Sequence, residues 1–172
     1  MSEIKPKDGF TRHAQSMAKK DVMKLSERAG EIIGIFCVLI LLTFFILHQT
    51  SSTGFFTPKF GSLEKFLFYG SLSFGIITSI GKIVVGRKNP IRPLDTFGAV
   101  FSGIALLWLL NFFPFDFSHL SDILPDSLRV IVMWISNDIA KLFMMLGIII
   151  SFIVAAYTIA LYISIRRLNC QA

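Results

Sequence analysis

Asp116, His119 and Asp122 are spaced three residues apart in a short polar stretch. On a helical turn they would share one face, and two carboxylates with an imidazole form a donor set that a divalent cation uses. His48, at the far end of an earlier apolar block, would approach from the same side. Phe115, Phe117, Leu120 and Ile123 interleave with the three. The simpler reading is therefore a short amphipathic turn with its polar face in water, so no metal is assigned and a metal-assisted enzyme stands only as the third function considered.

A second chemistry is offered by the run Gly86-Arg87-Lys88-Asn89-Pro90-Ile91-Arg92-Pro93-Leu94-Asp95. Two prolines stiffen it and three bases crowd it, so Arg87, Lys88 and Arg92 are expected to contact a lipid phosphate or an acidic patch on a partner. Asn111 is the strongest polar group inside an apolar block, and a hydrogen bond to a neighbouring helix is its expected role. No phosphate-binding glycine loop, zinc spacing, nucleophile elbow or dinucleotide fingerprint occurs, so no cofactor is expected.

The elements that must carry these residues follow from composition. Of 172 residues 53% are hydrophobic and 16% charged, and the mean hydropathy is +0.68. That balance excludes a soluble, disordered or fibrous protein. The apolar excess lies in four blocks of membrane-spanning length, 32–47, 66–85, 96–113 and 142–165. At about 1.5 Å per residue each block spans about 24 to 36 Å, bracketing a hydrocarbon core of about 30 Å. Each is continuous rather than alternating, and lipid tolerates only helices or closed barrels, so helices are expected.

Basic residues alternate from loop to loop. Lys5, Lys7, Arg12, Lys19, Lys20, Lys24 and Arg28 precede the first block, Lys82, Arg87, Lys88 and Arg92 surround the central loop, and Arg166 and Arg167 close the last block. The intervening segments share Lys59, Lys65, Arg129 and Lys141 with five acids. Basic loops are retained in the cytoplasm, so both termini are assigned there. The net charge of +6 is explained by this topology, and nucleic acid is not an expected partner. Localisation in the plasma membrane, with anionic headgroups against the cytoplasmic bases, is the expectation.

The predicted fold is an all-α integral membrane protein with four transmembrane helices as two hairpins. A basic N-terminal segment, 1–31, precedes the transmembrane domain, 32–165, and a short tail, 166–172, follows it. Residues 1–8 are polar. Over 11–30 the residues Ala18, Val22, Leu25 and Ala29 recur at helical steps that run on into Ile32 and Phe36. This predicts either an amphipathic helix on cytoplasmic headgroups or a cytoplasmic extension of the first span. The first block lacks a cleavage site and is expected to remain as a signal anchor. A helix continuous from Ser127 to Arg166 would be about 60 Å long, so a short external interfacial helix is expected before the fourth span, capped by Asp126 after Pro125, with Trp134 at headgroup depth. Cys37 and Cys170 are read as free thiols. The aromatic residues crowd toward the external side and are read as an interfacial belt with core packing.

Between their charged ends the spans carry no Asp, Glu, Lys, Arg or His, which argues against a proton-coupled pump or intramembrane protease. They carry small residues in four-residue register instead: Ser71, Gly75 and Ser79; Gly98 with Ser102; Ala99 with Gly103; Gly147, Ser151 and Ala155. Such seams let helix backbones approach closely where lipid supplies no hydrophobic drive. The simpler reading is that they hold this chain's own bundle together; the sharper one is that a seam receives a partner. A non-enzymatic structural or accessory subunit of a larger membrane assembly is the first function expected. A small channel or carrier formed by a homo-oligomer, lined by Ser71, Ser73, Thr78, Ser79 and Asn111, is the alternative.

Overall fold

The computed structural model describes residues 9–171. The polar segment 1–8, with Lys5 and Lys7, and Ala172 lie outside the described residues. The described residues are all-helical, with 79% of them in helix and no strand among them. Its α-helices are α1 (Gly9–Lys19), α2 (Leu25–Thr50), α3 (Ser62–Val85), α4 (Arg92–Phe112), α5 (Asp126–Val132) and α6 (Asn137–Gln171). Four of them, α2, α3, α4 and α6, are long and apolar enough to cross a membrane.

Each long helix has a local reason to start and stop. Glu27 and Glu64 stand three residues after the caps of α2 and α3. Their carboxylates accept the backbone N–H of Lys24 at 2.9 Å and of Gly61 at 3.0 Å, satisfying donors that a helix start leaves free. α3 stops at Gly86, which adopts the left-handed conformation at φ 66° and donates its N–H to the Lys82 carbonyl at 2.9 Å. A side chain there would also meet Arg28, whose guanidinium lies against that position. A 3-10 turn, Asn89–Ile91, leads into α4, with Pro93 in its first turn where no N–H is required.

The long helices pack in chain order, α2 on α3, α3 on α4 and α4 on α6, with the last pairing the most extensive. Glycines from the seams sit in two of these contacts. A Cβ on Gly98 would lie 2.6 Å from the Phe74 ring, across α3 and α4. Gly103 faces Phe152 at 3.2 Å and Ser151 at 3.4 Å, and Gly147 faces Leu106 at 3.0 Å, across α4 and α6. Ala155 is buried, Ser71, Ser79, Ala99, Ser102 and Ser151 are half-buried, and Gly75 is exposed with nothing within 4 Å of it. We expect Gly98→Leu to destabilise by about 1–3 kcal/mol through overpacking. Gly75→Leu should leave stability within about 0.5 kcal/mol. Thermal unfolding in detergent followed by far-UV circular dichroism compares the two, and equal shifts would refute this account of the α3–α4 contact.

The N-terminal region differs from the continuous helix expected over 11–30. α1 ends at Lys19 and the chain is extended before α2 begins at Leu25. Val22 forms an antiparallel bridge with Arg87, Met23 donates to the Gly86 carbonyl at 3.0 Å, and Lys88 donates to the Asp21 carbonyl at 3.0 Å. The Asp21 carboxylate also accepts the Asn89 N–H at 2.8 Å. These bonds to the central loop replace the helical ones that the spacing predicts. α1 therefore folds back on α6, burying Ala14 against Leu161 and Ile165, with Met17, Ala18 and Leu168 around them. His13 Nε2 meets the Tyr157 hydroxyl at 2.9 Å.

A short helix does precede α6. Pro125 occupies the cap position of α5 and Asp126 is its first helical residue. The break between α5 and α6 spans 133–136, and Trp134 donates its indole N–H to the Ile131 carbonyl at 2.6 Å. α6 has 35 residues, about 52 Å of helix. Its far end extends beyond a hydrocarbon core's thickness, and that is the end α1 covers.

Candidate functional site

The two ends of the bundle are built differently. At the end holding the 51–61 and 113–125 segments, the two loops pair through a bridge between Phe56 and Phe115. Asp116 donates its N–H to the Phe55 carbonyl at 2.7 Å, and Thr57 donates to the Pro114 carbonyl at 3.0 Å. Phe55, Phe60, Leu109, Phe115 and Leu120 form a buried cluster beneath them. The aromatic residues thus make a core that closes this end as well as edging it.

His48 is inside that core, 1% exposed. Its Nε2 lies 3.1 Å from the Leu120 carbonyl and its Nδ1 lies 2.7 Å from the Thr53 hydroxyl. A carbonyl only accepts, so Nε2 carries the proton and Nδ1 accepts from Thr53. With both nitrogens occupied, His48 ties α2 to the 113–125 loop and has no lone pair for a metal. Asp116 bonds to the Ser118 hydroxyl at 2.7 Å and to its N–H at 3.1 Å, and these bonds hold its carboxyl below the usual carboxylate range. His119 Nδ1 lies 2.9 Å from Asp122. The structure thus pairs His119 with Asp122 and engages Asp116 separately. Among the described residues no three His, Cys, Asp or Glu side chains converge as a metal site requires.

The opposite, basic end holds the richer chemistry. A cavity of about 540 Å³ opens there between the starts of α2 and α4 and the end of α3, walled on one side by Met17 of α1 and by Met23. Its polar lining comes from Glu27, Glu31, Lys82, Lys88, Arg92 and Asp95. Lys82 sits between two carboxylates, 3.3 Å from Glu31 and 3.1 Å from Asp95. Glu31 also accepts the Ser79 hydroxyl at 2.6 Å. Lys88 is paired with Glu27.

Arg92 is the exception in this network. It is 7% exposed, and its Nε donates to the Asn89 side-chain oxygen at 2.8 Å. Among the described residues no carboxylate lies within ion-pair distance of it. Arg92 lines the cavity, with Asp95 and Asp21 near enough to act on its charge but outside ion-pair distance. Of the three bases singled out in the central loop, Lys88 and Arg92 therefore line the cavity, while Arg87 is exposed outside it. Asn111 is exposed on α4, near the aromatic end and away from the cavity.

Sequence reasoning missed Glu27, Glu31 and Asp95. Spans beginning at Ile32 and Thr96 leave Glu31 and Asp95 just outside, whereas the helices begin earlier and carry both inside. The available signal was Glu27 and Glu31 four residues apart, on one face of a helix opposite the only base within a span, Lys82. The chain matches no known family model, and no curated protein or solved structure matches it significantly.

Proposed function

We propose that this chain is a non-enzymatic accessory subunit of a larger membrane protein assembly, crossing the bilayer four times with both termini in the cytoplasm, and that α2 receives the partner. The observation that carries this reading is the bareness of α2. None of its apolar window is buried, against 17% for the windows of α4 and α6. Its one extensive contact with the other long helices is with α3. A Cβ placed on Gly30 or Gly34 would meet nothing within 4 Å, and Cys37 is exposed one further turn along. Steps of four and three residues put all three on one face, which suits close approach by another membrane helix. The exposed Arg87, Arg166 and Arg167 would then face anionic headgroups.

The alternative, a small oligomeric channel, has weaker support. Ser71, Thr78 and Ser79 spend their hydroxyls on Phe68, Gly75 and Glu31. Cys37 supplies the test. In native membranes of a Cys170→Ser background, a short thiol-directed crosslinker at Cys37 is expected to capture a different, stoichiometric chain. Gly34→Leu should reduce that product at least about fivefold, a change of about 1 kcal/mol in association. Crosslinking only between copies of this chain would favour the channel. A monomer without crosslinks after mild extraction would end the accessory-subunit reading.

A further inference from the structure

We propose that the cavity at the basic end binds one aminophosphate headgroup, with its phosphate on Arg92 and its ammonium on Glu31 and Asp95. This inference does not depend on the accessory-subunit reading. It rests on two charges of opposite sign that share one cavity without forming an ion pair with each other.

The first is Arg92. A guanidinium this buried, with Asp95 and Asp21 near it but neither within ion-pair distance, is only partly compensated. Its Nε is fixed by Asn89, and its terminal nitrogens make no hydrogen bond to the described residues while Arg92 lines the cavity. The guanidinium fork suits the paired oxygens of a phosphate, to which it donates two parallel hydrogen bonds. The second is the group around Lys82. Two carboxylates share one ammonium there, so the triad carries one negative charge more than it neutralises. Lys88 and Glu27 cancel each other.

The six charged side chains that line the cavity sum to zero. A simple anion on Arg92 would leave the Lys82 triad uncompensated and would be repelled by it. A simple cation on the carboxylates would leave Arg92 uncompensated. A ligand carrying both a phosphate and a primary ammonium matches both, and its N–H groups donate to the carboxylates. A quaternary ammonium has no N–H to donate and loses those bonds. About 540 Å³ is within the usual range for a small-molecule site. The same chemistry would fit a soluble phosphoethanolamine, and the experiment separates the two sources.

The test uses the full chain purified in mild detergent and supplemented with equal mole fractions of phosphatidylethanolamine, phosphatidylcholine or phosphatidylglycerol. Thermal unfolding and native mass spectrometry read stabilisation and retained lipid. The ethanolamine lipid is expected to raise Tm above either of the others and to remain bound. Arg92→Gln and Glu31→Gln are each expected to weaken retention about tenfold, the loss of one charge-assisted contact. Arg92→Lys should retain part of the effect. Glu31→Gln keeps the Lys82–Asp95 pair, so it remains informative should Arg92→Gln fail to fold. Phosphatidylglycerol equal to or better than the ethanolamine lipid would overturn the proposal in favour of a plain anion site. Equal effects from phosphatidylcholine, or variants that retain the preference, would overturn it too. If soluble phosphoethanolamine reproduces the shift without lipid, the chemistry stands and its source is soluble. If it does not, the headgroup of a bilayer lipid is the source.

Discussion

Phe55→Ala is expected to lower the unfolding free energy by about 3–5 kcal/mol, the range for truncating a buried aromatic ring. Phe55 is 1% exposed. Its ring centre lies 4.9 Å from that of Phe56, 5.0 Å from His48, 5.2 Å from Phe117 and 5.7 Å from Phe115. Those neighbours belong to α2 and to both loops, so the space left behind cannot be closed by movement of one element. The backbone bond from Asp116 to the Phe55 carbonyl and the His48 bond to Leu120 are supported by the same packing. Phe66→Ala is the control, because Phe66 is 64% exposed. It should cost about 0.5 kcal/mol. Denaturant titration in micelles, followed by far-UV circular dichroism, measures both. A Phe55→Ala midpoint equal to that of Phe66→Ala would show that the aromatic end does not hold the loops.

Lys82→Met is the second large effect, expected to destabilise by about 2–3 kcal/mol, somewhat less than the loss of one partner from a fully buried pair. That full loss is about 3–5 kcal/mol, and the Lys82 and Glu31 side chains keep 21% and 24% of their exposure. The methionine fills the same space without the charge, so the loss comes from leaving Glu31 and Asp95 facing each other uncompensated. Adding Glu31→Gln to Lys82→Met should recover part of the loss, since one of the two stranded carboxylates is then neutral. Lys82→Arg should cost less than Lys82→Met, because the charge is kept. The same denaturant titration ranks the three variants. If the double variant is no more stable than Lys82→Met alone, the triad is not the source of the stabilisation.

These two sites were unequally legible. The aromatic crowding of the 112–120 and 55–63 segments is plain in the sequence, where the pattern Phe-Phe-x-x-x-Phe-x-x-Leu occurs twice. That the two copies face each other across an antiparallel bridge is not, because the segments are joined through a whole helical hairpin. The Lys82 triad was less visible still. Hydropathy treats a single charge at the end of an apolar block as a boundary marker, and Lys82 reads as a base reaching for the interface. Its fate depends on which acids the starts of α2 and α4 bring beside it. Asp116, His119 and Asp122 show the converse: the three-residue spacing is suggestive, yet the bonds to Ser118 and between His119 and Asp122 divide the set.

The sequence by itself determined the four long apolar helices, since block length and continuity are local properties and a backbone without water must satisfy its own hydrogen bonds. It also marked Gly98, Gly103 and Gly147, because four-residue recurrence of small residues is a local signal of close approach. Only the tertiary structure decided that α1 folds back on α6, that His48 is locked between Thr53 and Leu120, and that Arg92 is buried without an ion-pair partner among the described residues. Each of these depends on the partner a polar group finds, and the partners come from elements distant in the chain. Periodicity and hydropathy carry no information about such pairings, which the packing of the helices selects.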